Sequence, residues 1–320
     1  MTIKNPLPSV LLLTWPFRHF LKELLSYPAV VASRIRYKKV YSRVLTTSCA
    51  NSLVTKTVKR ESPFIVSRLG AVESRICYEY LFKSGRYSSV TLKQCHANAG
   101  IFPVNNSQID TVASLYLDAL SNVDVLGFWN CYGQLQTINA RAQSVQLVPL
   151  QSLEPWRVGD SKSHPWSMAL RGKKVLVVHP FADTIRQQYE VLHKLFKTPV
   201  ICPNFELITL RPPVTHCGMS DGFSSWSAAL SQLQDNVFDL EFDLALLGCG
   251  AYGLPLANSI KNQGLQVFHL GGALQLLFGI IGRRWELDPA IASEMNEYWV
   301  RPSDSETPTA SYLVDGGSYW

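Results

Sequence analysis

The chain has few charges, no closely spaced cysteine pair and no long apolar run. Charged residues make up 17% of its 320 positions against 47% hydrophobic. That balance excludes an intrinsically disordered polymer and describes a folded, core-rich protein. Its seven cysteines (Cys49, Cys77, Cys95, Cys131, Cys202, Cys217 and Cys249) are scattered, odd in number and free of Cys-x-x-Cys spacing. A disulfide framework or a thiolate zinc site is therefore disfavoured, and a reducing, cytoplasmic compartment is expected. No segment reaches the roughly 18–20 apolar residues of a membrane span. The run Val10 to Trp15 is cut short by Pro16, Arg18 and His19. It is followed by no convincing small-residue cleavage site, so no cleaved signal is expected. There is no internal repeat and no low-complexity block.

Acid is absent where base is densest. Between Arg34 and Arg60 stand eight basic residues (Arg34, Arg36, Lys38, Lys39, Arg43, Lys56, Lys59 and Arg60) without one Asp or Glu. A block of one sign suits an anionic surface, either membrane phospholipid or polyanionic glycan, and nucleic acid is not expected as a partner. Upstream, Leu11, Leu12, Trp15, Phe17, Phe20, Leu21, Leu24 and Leu25 recur at helical spacing. Residues 1–61 thus read as a basic amphipathic helical extension. It lies at a membrane interface or packs on the protein's own core or a second subunit.

From Pro63 the pattern is α/β. Strands are expected at Phe64–Val66, Val123–Trp129, Lys174–Val178, Phe205–Leu210, Leu244–Leu247 and Leu265–Leu270. Helices are expected at Val72–Lys83, Thr111–Ser121, Ala182–Phe196, Ser224–Asn236 and from Pro255 to Gly264. Such alternation builds a Rossmann-like, mostly parallel sheet covered on both faces. Residues 62–300 form that domain. Residues 301–320, rich in Pro, Ser, Thr and Gly, read as a C-terminal surface tail.

The most informative stretch is Phe242 to Trp285. An apolar run meets Gly248-Cys249-Gly250-Ala251-Tyr252-Gly253, a helix follows, and a second apolar run ends at His269-Leu270-Gly271-Gly272. Strand, glycine loop, helix and strand leave backbone N–H groups facing whatever binds at the strand's carboxyl end, which suits a phosphate. Gly248, Gly250 and Gly253 keep the G-x-G-x-x-G spacing of dinucleotide-binding proteins. The acid that those proteins place on the ribose is missing, because the second strand ends in Phe268-His269-Leu270. Arg283 and Arg284 could meet a 2′-phosphate but lie beyond the expected turn. A hydride-transfer cofactor is therefore disfavoured, and the glycines are also compatible with tight helix-to-strand packing alone.

A second constellation is Arg68-Leu69-Gly70-Ala71-Val72-Glu73. A guanidinium binds oxyanions in bidentate fashion, and a carboxylate at the same strand end can ligate a divalent cation or act as a base. The plainer reading is an Arg–Glu pair capping the following helix. His179 follows a strand where α/β proteins place site residues, Asp183 falls in the next helical turn, and His269 ends a neighbouring strand. A lone histidine in either place can equally be structural.

Taken together, several segments resemble a bacterial family of glycosyltransferase-like proteins with a GT-D-like fold, found among surface-polysaccharide genes. The segments are Pro63 to Glu73, Asn98 to Pro103, Gly172 to Phe181, Leu247 to Leu256, His269 to Trp285, Asn296 to Pro302 and Gly316 to Trp320. The resemblance runs from about residue 62 to the C-terminus. It implies sugar transfer from a nucleotide-sugar donor to a surface-glycan or lipid-linked acceptor, by an enzyme peripheral to the inner membrane. Arg68, Gly70 and Glu73 fall on the family's Arg-x-Gly-Asp-x-Glu stretch, whose two acids help hold a divalent metal (Mn or Mg) and the donor diphosphate. Ala71 replaces the Asp. Either Glu73 works with another carboxylate such as Asp183, or transfer needs no metal, or the chain is a non-catalytic nucleotide- or glycan-binding component. The residues implied for catalysis are Glu73, Asp183 and His179. Those implied for the donor are Arg68, Gly70, Gly248, Gly250, Gly253, His269, Gly271 and Gly272.

Overall fold

The computed structural model describes residues 32–157, 164–197, 201–216 and 218–320. The chain divides into two units, Met1–Arg43 and Val44–Trp320. In the first, the described residues include the short helix Lys38–Tyr41, with Arg34, Arg36, Lys38 and Lys39 exposed. The apolar set Leu11 to Leu25 lies outside the described residues.

In the second unit, seven short strands form one sheet: β1 (Phe64–Arg68), β2 (Val125–Phe128), β3 (Gln146–Pro149), β4 (Lys174–Val178), β5 (Glu206–Leu210), β6 (Leu244–Leu247) and β7 (Gln266–His269). Their order is β3-β2-β1-β7-β6-β4-β5, and every pairing is parallel. The expected α/β, Rossmann-like architecture is therefore present, with an all-parallel sheet. Eight longer helices are described: α1 (Thr47–Lys59), α2 (Ala71–Phe82), α3 (Ser89–Ala97), α4 (Asn106–Asn122), α5 (Gln134–Arg141), α6 (Ala182–Glu190), α7 (Trp226–Phe238) and α8 (Gly253–Asn262). Four of them start on a side-chain cap that takes a free backbone N–H: Thr46 for α1, Ser88 for α3, Asn105 for α4 and Ser225 for α7.

The central strands are apolar on both faces because helices cover both. Phe64, Val66, Val175, Val177, Leu244, Leu246 and Phe268 pack into one cluster with Val54 and Val58 of α1, Ile185 of α6 and the 3₁₀ segment Gly271–Phe278. The alternate residues Ile65, Leu176, Ala245 and Val267 are just as buried and point the other way. On that side α4 packs with α2 and α8. Helix α1 belongs to this unit although its sequence lies before residue 61, for its apolar stripe sits on the sheet. The exposed Lys56 and Lys59 are on its outer side.

At the amino edge of the sheet one carboxylate joins three elements. Asp124 accepts from Arg60 (2.8 Å), from Lys261 at the end of α8 (2.8 Å) and from the Ile65 N–H (2.9 Å). Those partners, set against the cost of its partial burial, hold the carboxyl below its ordinary range.

Candidate functional site

The carboxyl ends of β1, β7, β6 and β4 lie side by side. The chain leaves β1 and β6 into α2 and α8, and leaves β4 and β7 into α6 and Gly271–Phe278. Loops that part to opposite faces open a crevice, the place where doubly wound sheets bind ligands. Here it is a cleft of about 260 Å³, lined among others by Arg68, Glu73, His179, Gly250, His269 and Arg284.

The glycine loop connects β6 to α8, as expected, and β6 and β7 are neighbours. Its glycines serve different needs. Gly250 has φ +58° and is exposed, with nothing near the position a Cβ would take. Gly248 and Gly253 make room for histidines. A Cβ on Gly248 would come 2.4 Å from His179 Cδ2, and one on Gly253 would come 2.2 Å from His269 Nε2. Close packing thus accounts for Gly248 and Gly253, and backbone conformation for Gly250. Helix α8 begins with no side-chain cap and no acid in its first turn.

Both histidines are buried and held by hydrogen-bond partners. His179 Nδ1 accepts the Phe181 N–H at 3.0 Å, which leaves its proton on Nε2. His269 Nδ1 lies 3.0 Å from Ser67 Oγ. Burial pushes each pKa down to about 3, and the Arg68 charge adds to the effect on His269.

Arg68 ends β1. Its guanidinium lies 5.6 Å from the centre of the Trp129 ring, and no carboxylate lies within ion-pair distance among the described residues. Gly271 has φ +68°, a conformation that favours glycine, and its Cβ position is 3.0 Å from Arg68 Cδ. Glu73 folds back over the start of α2, against its own N–H, so that its Oε2 lies 1.9 Å from where a Cβ on Gly70 would stand. Burial raises the Glu73 pKa. Its backbone hydrogen bond and Arg68 oppose that shift, and the nearby Asp315 adds to it.

Asp183 does not join this group. Its side chain is 62% exposed and pairs with Arg186 at 3.0 Å. The start of α6 is instead closed by Glu306, which accepts from the N–H groups of Asp183 (2.8 Å) and Thr184 (3.2 Å). An acid in a first helical turn favours the dipole wherever its side chain points, so the sequence pattern alone could not place it in the cleft.

Sequence reasoning missed the C-terminal wall. Residues 301–320, expected as a tail over the surface, bring Val314, Asp315, Tyr319 and Trp320 into the cleft lining. Gln275 Nε2 donates to the Tyr319 carbonyl at 3.0 Å, and Trp320 Nε1 donates to the Glu306 carbonyl at 3.1 Å. Asp315 accepts from Asn98 at 2.5 Å and pairs with Arg284 at 3.5 Å. The Gly316-Gly317 pair and the closing aromatics were the available signal.

The fold and cleft define an α/β protein with a Rossmann-like parallel sheet and a crevice at its carboxyl edge. No family model, no curated protein and no solved structure matches the chain.

Proposed function

We propose that the chain is a glycosyltransferase that binds a nucleotide-sugar donor in this cleft and passes the sugar to a surface-glycan or lipid-linked acceptor. One observation carries the reading. An arginine without a carboxylate partner, the glycine turn Gly248–Gly250 and a carboxyl of raised pKa converge on a single cavity. The acceptor hydroxyl oxygen forms a bond to the anomeric carbon as the bond from that carbon to the diphosphate breaks. The electron pair departs with the diphosphate. Arg68 offsets its charge, and the His179 Nε2–H is a neutral donor in the same cleft. Glu73 takes the hydroxyl proton, and a carboxyl whose pKa is raised toward neutrality is the better base at working pH. The exposed Arg34, Arg36, Lys38 and Lys39 suit an anionic, acceptor-bearing membrane surface, a part of the reading that sedimentation with anionic vesicles tests.

The non-catalytic reading draws its support from Ala71, which brings no carboxylate to the strand end. Glu73→Gln separates the two. A catalytic base predicts a folded variant that still binds nucleoside diphosphates but transfers sugar about 10²-fold more slowly. The wild-type rate should climb with pH as Glu73 loses its proton, and the variant should lose that limb. Binding without turnover by the wild type supports the non-catalytic reading. Tight NADP binding that depends on Arg283 or Arg284 removes both.

A further inference from the structure

Two arginines reach the cleft, and they flank one turn. The Gly271 Cβ position faces the Arg68 side chain at 3.0 Å, while that of Gly272 faces the Tyr319 ring at 2.2 Å. Arg284 lies over that same ring, 4.5 Å from its centre. The consecutive glycines after β7 thus separate Arg68 from the Tyr319–Arg284 stack, and both side chains line the one cavity. Each guanidinium is laid against an aromatic face, Trp129 for Arg68 and Tyr319 for Arg284. Stacking of this kind holds the planar fork in place and leaves its N–H edges for an oxyanion.

The carboxylates of the cleft are arranged differently from a cation site. Ala71 supplies no oxygen, Glu73 is turned onto the start of its own helix, and Asp183 points away. Asp315 is shared between Asn98 and Arg284. Among the described residues no three of His, Cys, Asp or Glu come together. A divalent cation on a diphosphate takes one or two protein carboxylates beside the phosphate oxygens, and here Glu73 is turned onto its own helix and Asp315 is held by Asn98 and Arg284, so neither is presented to one.

We propose that the cleft neutralises the diphosphate of its ligand with two guanidinium groups, Arg68 and Arg284, on either side of the Gly271–Gly272 turn, in place of a divalent cation. The proposal rests on the nucleotide-sugar reading above and deepens it. Asp315 is the resting counter-ion of Arg284. With a side chain 41% exposed, it can give way to a phosphate that offers two oxygens where it offers one contact at 3.5 Å.

Calorimetric titration of the full chain with uridine, guanosine, adenosine and cytidine diphosphates, in EDTA and again with manganese, tests this directly. At least one should bind in EDTA, with an affinity that manganese changes by no more than about twofold, a shift of well under 1 kcal/mol. Arg68→Gln and Arg284→Gln should each weaken that binding about ten- to a hundredfold, the scale of a lost hydrogen bond to a charged group. Asp315→Asn should tighten it about two- to fivefold by releasing Arg284, a gain that misfolding cannot imitate. Binding that appears only with manganese overturns the two-arginine proposal and leaves the nucleotide reading standing. An Arg284→Gln protein that melts like wild type and binds equally well also overturns it. Absence of binding by all four diphosphates in both conditions overturns the proposal and the reading together.

Discussion

Helices α6 and α8 occupy equivalent places, each leaving the carboxyl end of a central strand, and their first turns are treated in opposite ways. That of α6 is closed by Glu306, brought from more than a hundred residues away to accept the N–H groups of Asp183 and Thr184. That of α8 has no side-chain cap and no acid, and runs on from the 3₁₀ turn Gly250–Tyr252, in which the Gly250 carbonyl accepts the Gly253 N–H. An unpaired N–H at a helix start calls for an acceptor, from the protein or from a ligand. The contrast teaches that topology offers several anion sites in such a sheet, and side chains decide which of them are filled. A carboxylate already bound at α6 makes that end structural. The start of α8 is closed by its own backbone, and it is the glycine turn before it that faces the cleft with Arg68 and His179.

The comparison breaks most severely at Gly248. In Gly248→Ala the new Cβ would come 2.4 Å from His179 Cδ2 and 3.0 Å from the Gly271 carbonyl oxygen, and the second of these is backbone. Overpacking of this kind costs about 1–3 kcal/mol of stability, and nucleoside diphosphate binding should be lost with the displaced histidine. Urea denaturation and calorimetry read the two effects, and an unchanged affinity would detach the glycine loop from the site.

Glu306→Gln sharpens the contrast from the other side. Weakening the acceptor for the α6 start should cost about 0.5–2 kcal/mol in the same denaturation experiment. Diphosphate affinity should stay as in wild type if, as proposed, the ligand sits against Arg68 and Arg284. A large loss of affinity in a well-folded variant would show that the two helix starts act together. The smallest effect is expected at Asp183. Its pair with Arg186 is 62% exposed on both sides, so Asp183→Asn should alter stability by less than about 0.5 kcal/mol and leave transfer unchanged.

How much of this was legible varies with the range of the interaction. Strands β4 and β6 stood out because both faces are covered, which requires continuous apolar runs, and the structure gives them the expected bounds of Lys174–Val178 and Leu244–Leu247. Strand β3 did not, since Gln146–Pro149 is four residues long, lies at the sheet edge and carries a proline. Helices α3 and α5 were also unread. The glycine loop and the approach of Glu73 to Arg68 were visible because strand, loop and helix follow within a dozen residues. The cap from Glu306 and the wall formed by Tyr319 and Trp320 were not, because they join elements far apart in sequence. No periodicity marks a segment whose backbone is held mainly by other elements' side chains. Asp183 illustrates the reverse error, a locally sensible residue whose neighbours in space were unknowable.

Asp124 stands at the far end of the sheet from all of this, tied to Arg60, Lys261 and the Ile65 N–H. It anchors the foot of β1 and the tail of α8, whose other ends carry Arg68 and the glycine loop. The foundation and the working surface thus share the same elements but have no residue in common. Loops at the carboxyl edge can lengthen, shorten or exchange side chains without disturbing that tether. A lineage built on this scaffold is free to explore new ligands at one rim while inheriting its foldedness from the other.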